Sequence, residues 1–246
     1  MELNTFICGD CIEQMKLLPN DSVDMCFTSP PYNCGNSGKN KDMYKNYSDD
    51  LSNEDYFNLL NSSLTEMLRL CKGLVFINLN YMVNNTVPLF KFINENSMYL
   101  KEVVVWDKMR AQPPIGNILA KRHELIFLFT KNKDTVINTF SKNKGEDYRN
   151  IFGGWISNVA RVSIDSDQTE FSKEHRASFP LALPKIFIDI YTEKGGIVLD
   201  PFCGLGTTAI ACYELGRNFI GIERDDRYIQ ISKERLSSYQ LQPKFL

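Results

Sequence analysis

Short runs of apolar, β-branched and aromatic residues recur along the chain. They alternate with stretches in which apolar residues return at the 3.6-residue spacing of a helix. The runs predict strands over Thr5–Cys8, Ser22–Thr28, Leu74–Leu79, Lys101–Trp106, Glu124–Thr130, Ile197–Leu199 and Asn218–Ile222, seven in all. Several are continuously apolar, as strands buried on both faces are. The spacing predicts helices over Cys11–Leu18, Asn53–Cys71, Val87–Asn94, Leu183–Thr192, Thr207–Leu215 and Asp226–Ser237. The second is the clearest, with Tyr56, Leu60, Leu64, Met67, Leu68 and Cys71 in one stripe. Ser52 is placed to cap it, and Leu51 against Tyr56 fits a hydrophobic staple. Strands and helices taking turns in this way imply an α/β sheet covered on both faces.

Two stretches carry no regular period. Asn33–Asp50 is rich in Asn, Ser, Gly, Lys and Tyr, and reads as a long mobile loop. Residues 132–174 mix polar positions with Phe140, Tyr148, Phe152 and Trp155. That segment is too long for a connection and too short for a domain, so it reads as an insertion on one domain spanning 1–246. No internal repeat and no Pro/Gly/Ser-rich linker divides the chain.

Composition narrows the field of functions. With 43% hydrophobic and 24% charged residues, the chain has globular composition, which excludes fibres and wholesale disorder. The formal net charge of -2 excludes a general polycationic binder, so any nucleic-acid contact must come from a local patch. One segment is locally basic: residues 101–150 hold ten Lys and Arg against six acids. No apolar run approaches the ~20 residues that span a bilayer. Met1-Glu2-Leu3-Asn4 lacks a basic, then apolar, leader pattern, so no signal peptide is expected. Seven irregularly spaced cysteines read as reduced thiols in a cytoplasmic protein. Cys8-x-x-Cys11 has no second pair at zinc spacing, and neither His123 nor His175 has a partner set, so no metal is expected. Trp106 closes a strand and reads as core.

Two motifs carry chemistry. Towards the C-terminus, Leu199-Asp200-Pro201-Phe202-Cys203-Gly204-Leu205-Gly206-Thr207-Thr208 leaves a strand and opens a helix. Gly204 and Gly206 allow a tight turn and close backbone approach, and the helix start favours a negative group. The next strand ends at Glu223, about 20 residues on, where a carboxylate can accept from ribose hydroxyls. The pair indicates an adenosine-containing cofactor without choosing between a dinucleotide and S-adenosyl-L-methionine. Near the N-terminus, a strand runs into Thr28-Ser29-Pro30-Pro31-Tyr32. The prolines stiffen the turn and remove two amide donors, so neighbouring carbonyls can point at a ligand. The Ser29 hydroxyl and the Pro30 carbonyl can accept both N–H groups of an exocyclic amine on a nucleobase, drawing its nitrogen towards tetrahedral geometry. Tyr32 offers the base a flat face.

Ser-Pro-Pro-Tyr at 29–32 and Asp-Pro-Phe-Cys-Gly-Leu-Gly-Thr-Thr at 200–208 resemble the catalytic and cofactor motifs of the DNA amino-methyltransferases. The order, catalytic motif first, resembles the β group of that family, a circular permutation. Gly9-Asp10-Cys11 resembles the segment reaching the cofactor adenine, Phe179-Pro180 the lead into the cofactor-side helix, and His123–Phe127 with Lys131 the last core strand. The resemblance implies a seven-stranded, mostly parallel Rossmann-like sheet in which the first strand starts mid-order beside the last strands in sequence. Both motifs then lie at the carboxyl ends of adjacent strands. It implies methyl transfer from S-adenosyl-L-methionine to a base flipped out of double-stranded DNA. Ser29, where adenine enzymes usually carry Asp, resembles the N4-cytosine subgroup; N6 of adenine is the alternative. Ser29, Pro30, Pro31 and Tyr32 would carry catalysis. Asp10, Cys11, Phe179, Asp200, Pro201, Phe202, Gly204, Gly206, Thr207, Thr208 and Glu223 would hold the cofactor. The family's target-recognition segment coincides with 132–174, and Lys108, Arg110, Lys121, Arg122, Lys142 and Lys144 are the expected DNA contacts. A cognate restriction endonuclease and a homodimer are the further partners the resemblance raises. An RNA or protein amino-methyltransferase, a cofactor-binding subunit without chemistry and a dinucleotide oxidoreductase are the rivals; the last leaves Pro30–Tyr32 unexplained.

Overall fold

The apolar runs pair side by side into one sheet. The computed structural model describes residues 1–35, 49–82, 84–111, 119–132, 134–135, 157–164 and 179–241. In chain order these give β1 (Thr5–Cys8), α1 (Cys11–Lys16), β2 (Val23–Thr28), α2 (Asn53–Leu70), β3 (Cys71–Leu79) and α3 (Thr86–Glu95). There follow β4 (Leu100–Asp107), β5 (His123–Phe129), β6 (Val159–Arg161), α4 (Ala182–Tyr191), β7 (Ile197–Asp200), α5 (Thr207–Leu215), β8 (Asn218–Glu223) and α6 (Asp226–Leu241). The strand order across the sheet is β1-β8-β7-β2-β3-β5-β4-β6. Among the described strands only β5 runs against the others.

Three expectations are corrected here. The sheet has eight described strands rather than seven. The addition, β6, pairs with β4 from Val105↔Val159 to Asp107↔Arg161, inside the stretch read as an insertion. Three residues are too few to show a period of two. The first strand lies at the sheet edge rather than mid-order, although it does lie against the last one, with Thr5↔Ile220 and Ile7↔Ile222 in register. Since β7 already occupies the other side of β8, the outer flank is the only place left. Finally, α2 stops at Leu70 and Cys71 turns into extended backbone to open β3 without a loop. Cys71 continues the apolar stripe because strand and helix bury it in the same core.

Among the described residues, three helices cover each sheet face. One core takes α1, α2 and α3 with Cys26, Val75, Ile77, Phe129, Leu199 and Ile222 from the strands. The opposite core takes α4, α5 and α6 with Met25, Phe27, Phe76, Ile126, Leu128 and Val198. Neighbouring strand residues therefore alternate between cores, as the two-residue pleat dictates. Phe27 is fully buried, with ring centroids 6.1 Å from Phe76, 5.8 Å from Phe187 and 5.4 Å from Phe179. Burying such a side chain stabilises by about 1.5–3 kcal/mol. That packing fixes the end of β2, from which the Ser-Pro-Pro-Tyr turn departs. Ser52 caps α2 by accepting from the Asp55 amide at 3.1 Å, as its sequence position predicts.

Candidate active site

The glycine turn is built by backbone. Cys203 donates its amide to the Ile222 carbonyl at 2.9 Å, and Gly206 to the Cys203 carbonyl at 2.8 Å. Gly204 and Gly206 have φ of 48° and 72°, conformations that a side chain disfavours. A Cβ at Gly204 would meet nothing within 4 Å, whereas one at Gly206 would press on Ser232 and Phe6. The first glycine therefore faces open space and the second faces packing. Gly206 caps α5, whose first amides point out of the turn.

Glu223, at the carboxyl end of β8, is tied into this corner. One of its carboxylate oxygens accepts from the Gly204 amide at 3.0 Å, the other from Arg224 and Asp225 at 2.8 and 3.0 Å. Three of its roughly four acceptor positions are thereby used. Burial raises its carboxyl, partly offset by those amides. Its carbonyl also accepts from the Gly9 amide at 2.9 Å, which brings Asp10 to the same rim. The Asp10 side chain caps α1, accepting from Ile12 and Glu13. The Cys11 thiol is part of the core rather than the rim; burial pushes it up to about 12.

Asp200 joins the two motifs. It is 3% exposed, and its carboxylate accepts from Thr28 Oγ1 and Thr208 Oγ1, both at 2.6 Å, and from the Phe202 amide at 3.2 Å. Thr28 ends β2 and Asp200 ends β7, and these strands pair directly. The glycine corner and the proline turn are thus one hydrogen bond apart, although 172 residues separate the bonded pair.

The proline turn is held from three sides. Tyr56 Oη donates to the Pro31 carbonyl at 2.9 Å, and Asn85 Nδ2 donates to the Tyr32 carbonyl at 2.5 Å. Asn33 and Asp49 clamp the chain beyond it, with Asp49 accepting from the Asn33 and Cys34 amides at 2.8 and 3.1 Å. Among the described residues no protein group donates to the Pro30 carbonyl. Residues 36–48 of the expected loop lie outside the described residues.

Behind Ser29 and Tyr32 lies a polar cluster that the sequence reading did not identify. Ser29 Oγ and Tyr32 Oη are 2.9 Å apart, and Tyr32 Oη donates to Glu124 Oε2 at 2.8 Å. Asn78 Nδ2 donates to both Tyr32 Oη and Glu124 Oε2 at 2.7 Å. Lys108 is ion-paired with the other Glu124 oxygen. Burial, then the Glu124 charge, holds the Tyr32 phenol well above its ordinary range, so it stays a donor. Asn78 sits in β3, Glu124 in β5, and Lys108 follows β4; antiparallel pairing brings them together, with Asn78↔Ile126 and Trp106↔Glu124 in register. The signal available in sequence was an amide within the apolar end of β3 and an acid beside His123 at the start of β5.

Ser29, Tyr32, Asp10, Asp200, Gly204, Gly206, Thr207, Thr208 and Glu223 therefore gather along one rim of the sheet, with Pro201 and Phe202 in the turn between them. Phe179 packs edge-on to Phe27 at 5.4 Å, beneath that rim. Lys108 departs from the expectation of a phosphate contact: it is 6% exposed and neutralised by Glu124. Arg122 is exposed but pairs with Asp107 at 2.7 and 3.0 Å. Lys121 lies over the Tyr81 ring at 4.2 Å, and Arg110 is exposed. Lys142, Lys144 and His175 lie outside the described residues. Among the described residues, no three metal-ligating side chains gather, and no helix is long and apolar enough to cross a membrane.

The chain is 31% identical over 248 residues to the type II methyltransferase M.HpaI of Haemophilus parainfluenzae, covering 94% of this chain and 74% of that protein. PvuII DNA methyltransferase (cytosine-N4-specific) superposes with a TM-score of 0.74 at 19% identity, over 98% of this chain and 87% of its own. The M1.HpyAVI–SAM complex superposes with a TM-score of 0.63 at 27% identity, over 94% and 98%. The DNA methylase family model, named for N6 and N4 methylation, matches residues 23–234, and the chain belongs to that family.

Proposed function

We propose that this DNA methylase transfers a methyl group from S-adenosyl-L-methionine to the N4 amino group of a cytosine flipped out of duplex DNA. The observation that carries this reading is the Thr28–Asp200 hydrogen bond, which sets the proline turn beside the glycine corner. The corner suits the cofactor: Gly204 faces open space, α5 presents its N-terminal amides, and Glu223 keeps an acceptor position for a ribose hydroxyl. The solved structure of M1.HpyAVI with SAM supports the choice of cofactor. When bound, S-adenosyl-L-methionine supplies the methyl group on its sulfonium.

The chain's own residues then act on the amine. The lone pair of an exocyclic amine is conjugated into its ring, which makes it a poor nucleophile. Ser29 Oγ and the Pro30 carbonyl accept its N–H groups and free that pair, while Tyr32 stacks on the base and offsets part of its unstacking. No covalent intermediate is required, so none of the seven cysteines is assigned to the reaction. Ser29 and the fold shared with a cytosine-N4-specific enzyme favour cytosine. Arg110, Lys121, Lys142 and Lys144 are the proposed DNA contacts. M.HpaI is named a type II methyltransferase; we place this chain in the same cytoplasmic restriction–modification setting. A cognate endonuclease and a second copy of the chain are the proposed further partners.

The test is incubation with tritiated S-adenosyl-L-methionine and duplex DNA, followed by hydrolysis and identification of the labelled base. N4-methylcytosine is expected. Label in N6-methyladenine would retain the chemistry and reverse the base; no transfer to DNA would overturn the reading. Ser29→Ala and Tyr32→Ala should each lower turnover by on the order of a hundredfold, with cofactor affinity retained in calorimetry.

A further inference from the structure

Ser29 can accept from a substrate amine only if its own proton points elsewhere. The cluster behind it decides this by the count of protons. Glu124 is an acceptor only, since Lys108 holds it as an ion pair in which the two side chains are 8% and 7% exposed. Asn78 directs its amide protons to Glu124 Oε2 and Tyr32 Oη. The opposite amide orientation would set Asn78 Oδ1 against a carboxylate, which is repulsive. Tyr32 has one proton, and Glu124 Oε2 at 2.8 Å takes it. Tyr32 Oη can then only accept from Ser29, 2.9 Å away; the other acceptor in reach of Ser29 is the Asn78 carbonyl at 3.3 Å. The phenol is the nearer acceptor, so the Ser29 proton points into the protein; Asn78 Nδ2, 3.4 Å from Ser29 Oγ, makes only a long contact to one lone pair and leaves the other for the substrate amine.

We propose that Glu124, anchored by Lys108, is a positioning residue that orients the hydroxyl protons of Tyr32 and Ser29 and so makes Ser29 an acceptor for the target amine. This rests on the assignment of Ser29 as the group that meets the amine. A hydroxyl is a weaker acceptor than a carboxylate. Here a carboxylate lies two hydrogen bonds behind it and polarises it through the phenol. Lys108 thereby gains a role: without it the buried carboxylate would carry an uncompensated charge.

The experiment is a double-mutant cycle on the single-turnover methylation rate, using wild type, Glu124→Gln, Ser29→Ala and the pair. Glutamine keeps the size of the side chain and can donate to Tyr32, which reverses the chain. Glu124→Gln should slow transfer by on the order of tenfold to a hundredfold, with cofactor affinity unchanged. In the Ser29→Ala background the same substitution should change the rate by less than about threefold, because no Ser29 proton remains to orient. A merely structural role would give equal losses in both backgrounds, and that result overturns the inference. So does a wild-type rate in Glu124→Gln where Ser29→Ala is slow. A wild-type rate in Ser29→Ala itself would instead overturn the underlying assignment. Should Glu124→Gln fail to fold, Tyr32→Phe breaks the same link while leaving the ion pair intact. Ser29 then keeps only the longer Asn78 carbonyl as acceptor, so the loss should be smaller but should depend on Ser29 in the same way; additive losses there would equally reject the proposal.

Discussion

Asp200 shows how one side chain links site geometry to stability. Burial raises its carboxyl to about 6, while the Thr28 and Thr208 hydroxyls and the Phe202 amide pull it back down. An unfolded Asp titrates near 3.9. The folded state therefore holds the proton more tightly, and ionising it disfavours folding. Its contribution is most favourable below about pH 4 and is lost as pH rises through about 6, by about 3 kcal/mol. Asp200→Asn lacks that titration. The stability difference between the two proteins should thus move in favour of the Asn variant between pH 4 and 7. Urea denaturation of both across that range checks it, and a difference independent of pH would refute it. Single residues were also where the sequence could be read best and worst. Ser29 to Tyr32 and Gly204 to Thr208 are contiguous, so each carries its chemistry as an unbroken string of residues. Glu124 and Asn78 come from two strands and Lys108 from the residue after a third, so no local stretch holds the three together. Lys108 in particular looked like surface because it lies in a basic stretch.

The elements repeat this contrast between local and distant signals. The stripe and cap of α2 were visible in sequence because both are short-range, and the helix starts where Ser52 places it. The three-residue β6 and the edge position of β1 were not, because each depends on a partner far along the chain. The turn into α5 offers a test at this scale. Gly204 and Gly206 both adopt left-handed backbone, so alanine strains each by about 1–2 kcal/mol. Only at position 206 would the new Cβ also meet Ser232 at 3.0 Å and Phe6 at 3.1 Å. Gly206→Ala should therefore melt lower than Gly204→Ala. Equal melting temperatures would mean that the β1 and α6 side chains yield without resistance.

For the whole molecule, the near-neutral charge means that DNA affinity has to come from a few placed cations. Each phosphate contact contributes about 0.9 to the slope of log affinity against log salt. Arg110→Ala and the pair Lys142→Ala/Lys144→Ala should flatten that slope. Lys108→Met should leave it unchanged, since Lys108 spends its charge on Glu124. Binding isotherms from low to moderate salt, on folded protein, separate these outcomes; a flatter slope for Lys108→Met would return it to the DNA surface.

Because β2 pairs with β7 and β1 with β8, the order of synthesis and the order of assembly run crosswise. A nascent chain emerging from the ribosome carries its Ser-Pro-Pro-Tyr turn long before Asp200 exists to brace Thr28. An amino-terminal fragment that ends before Asp200 therefore lacks both the brace on Thr28 and the strands that flank β2 and β1 on that side.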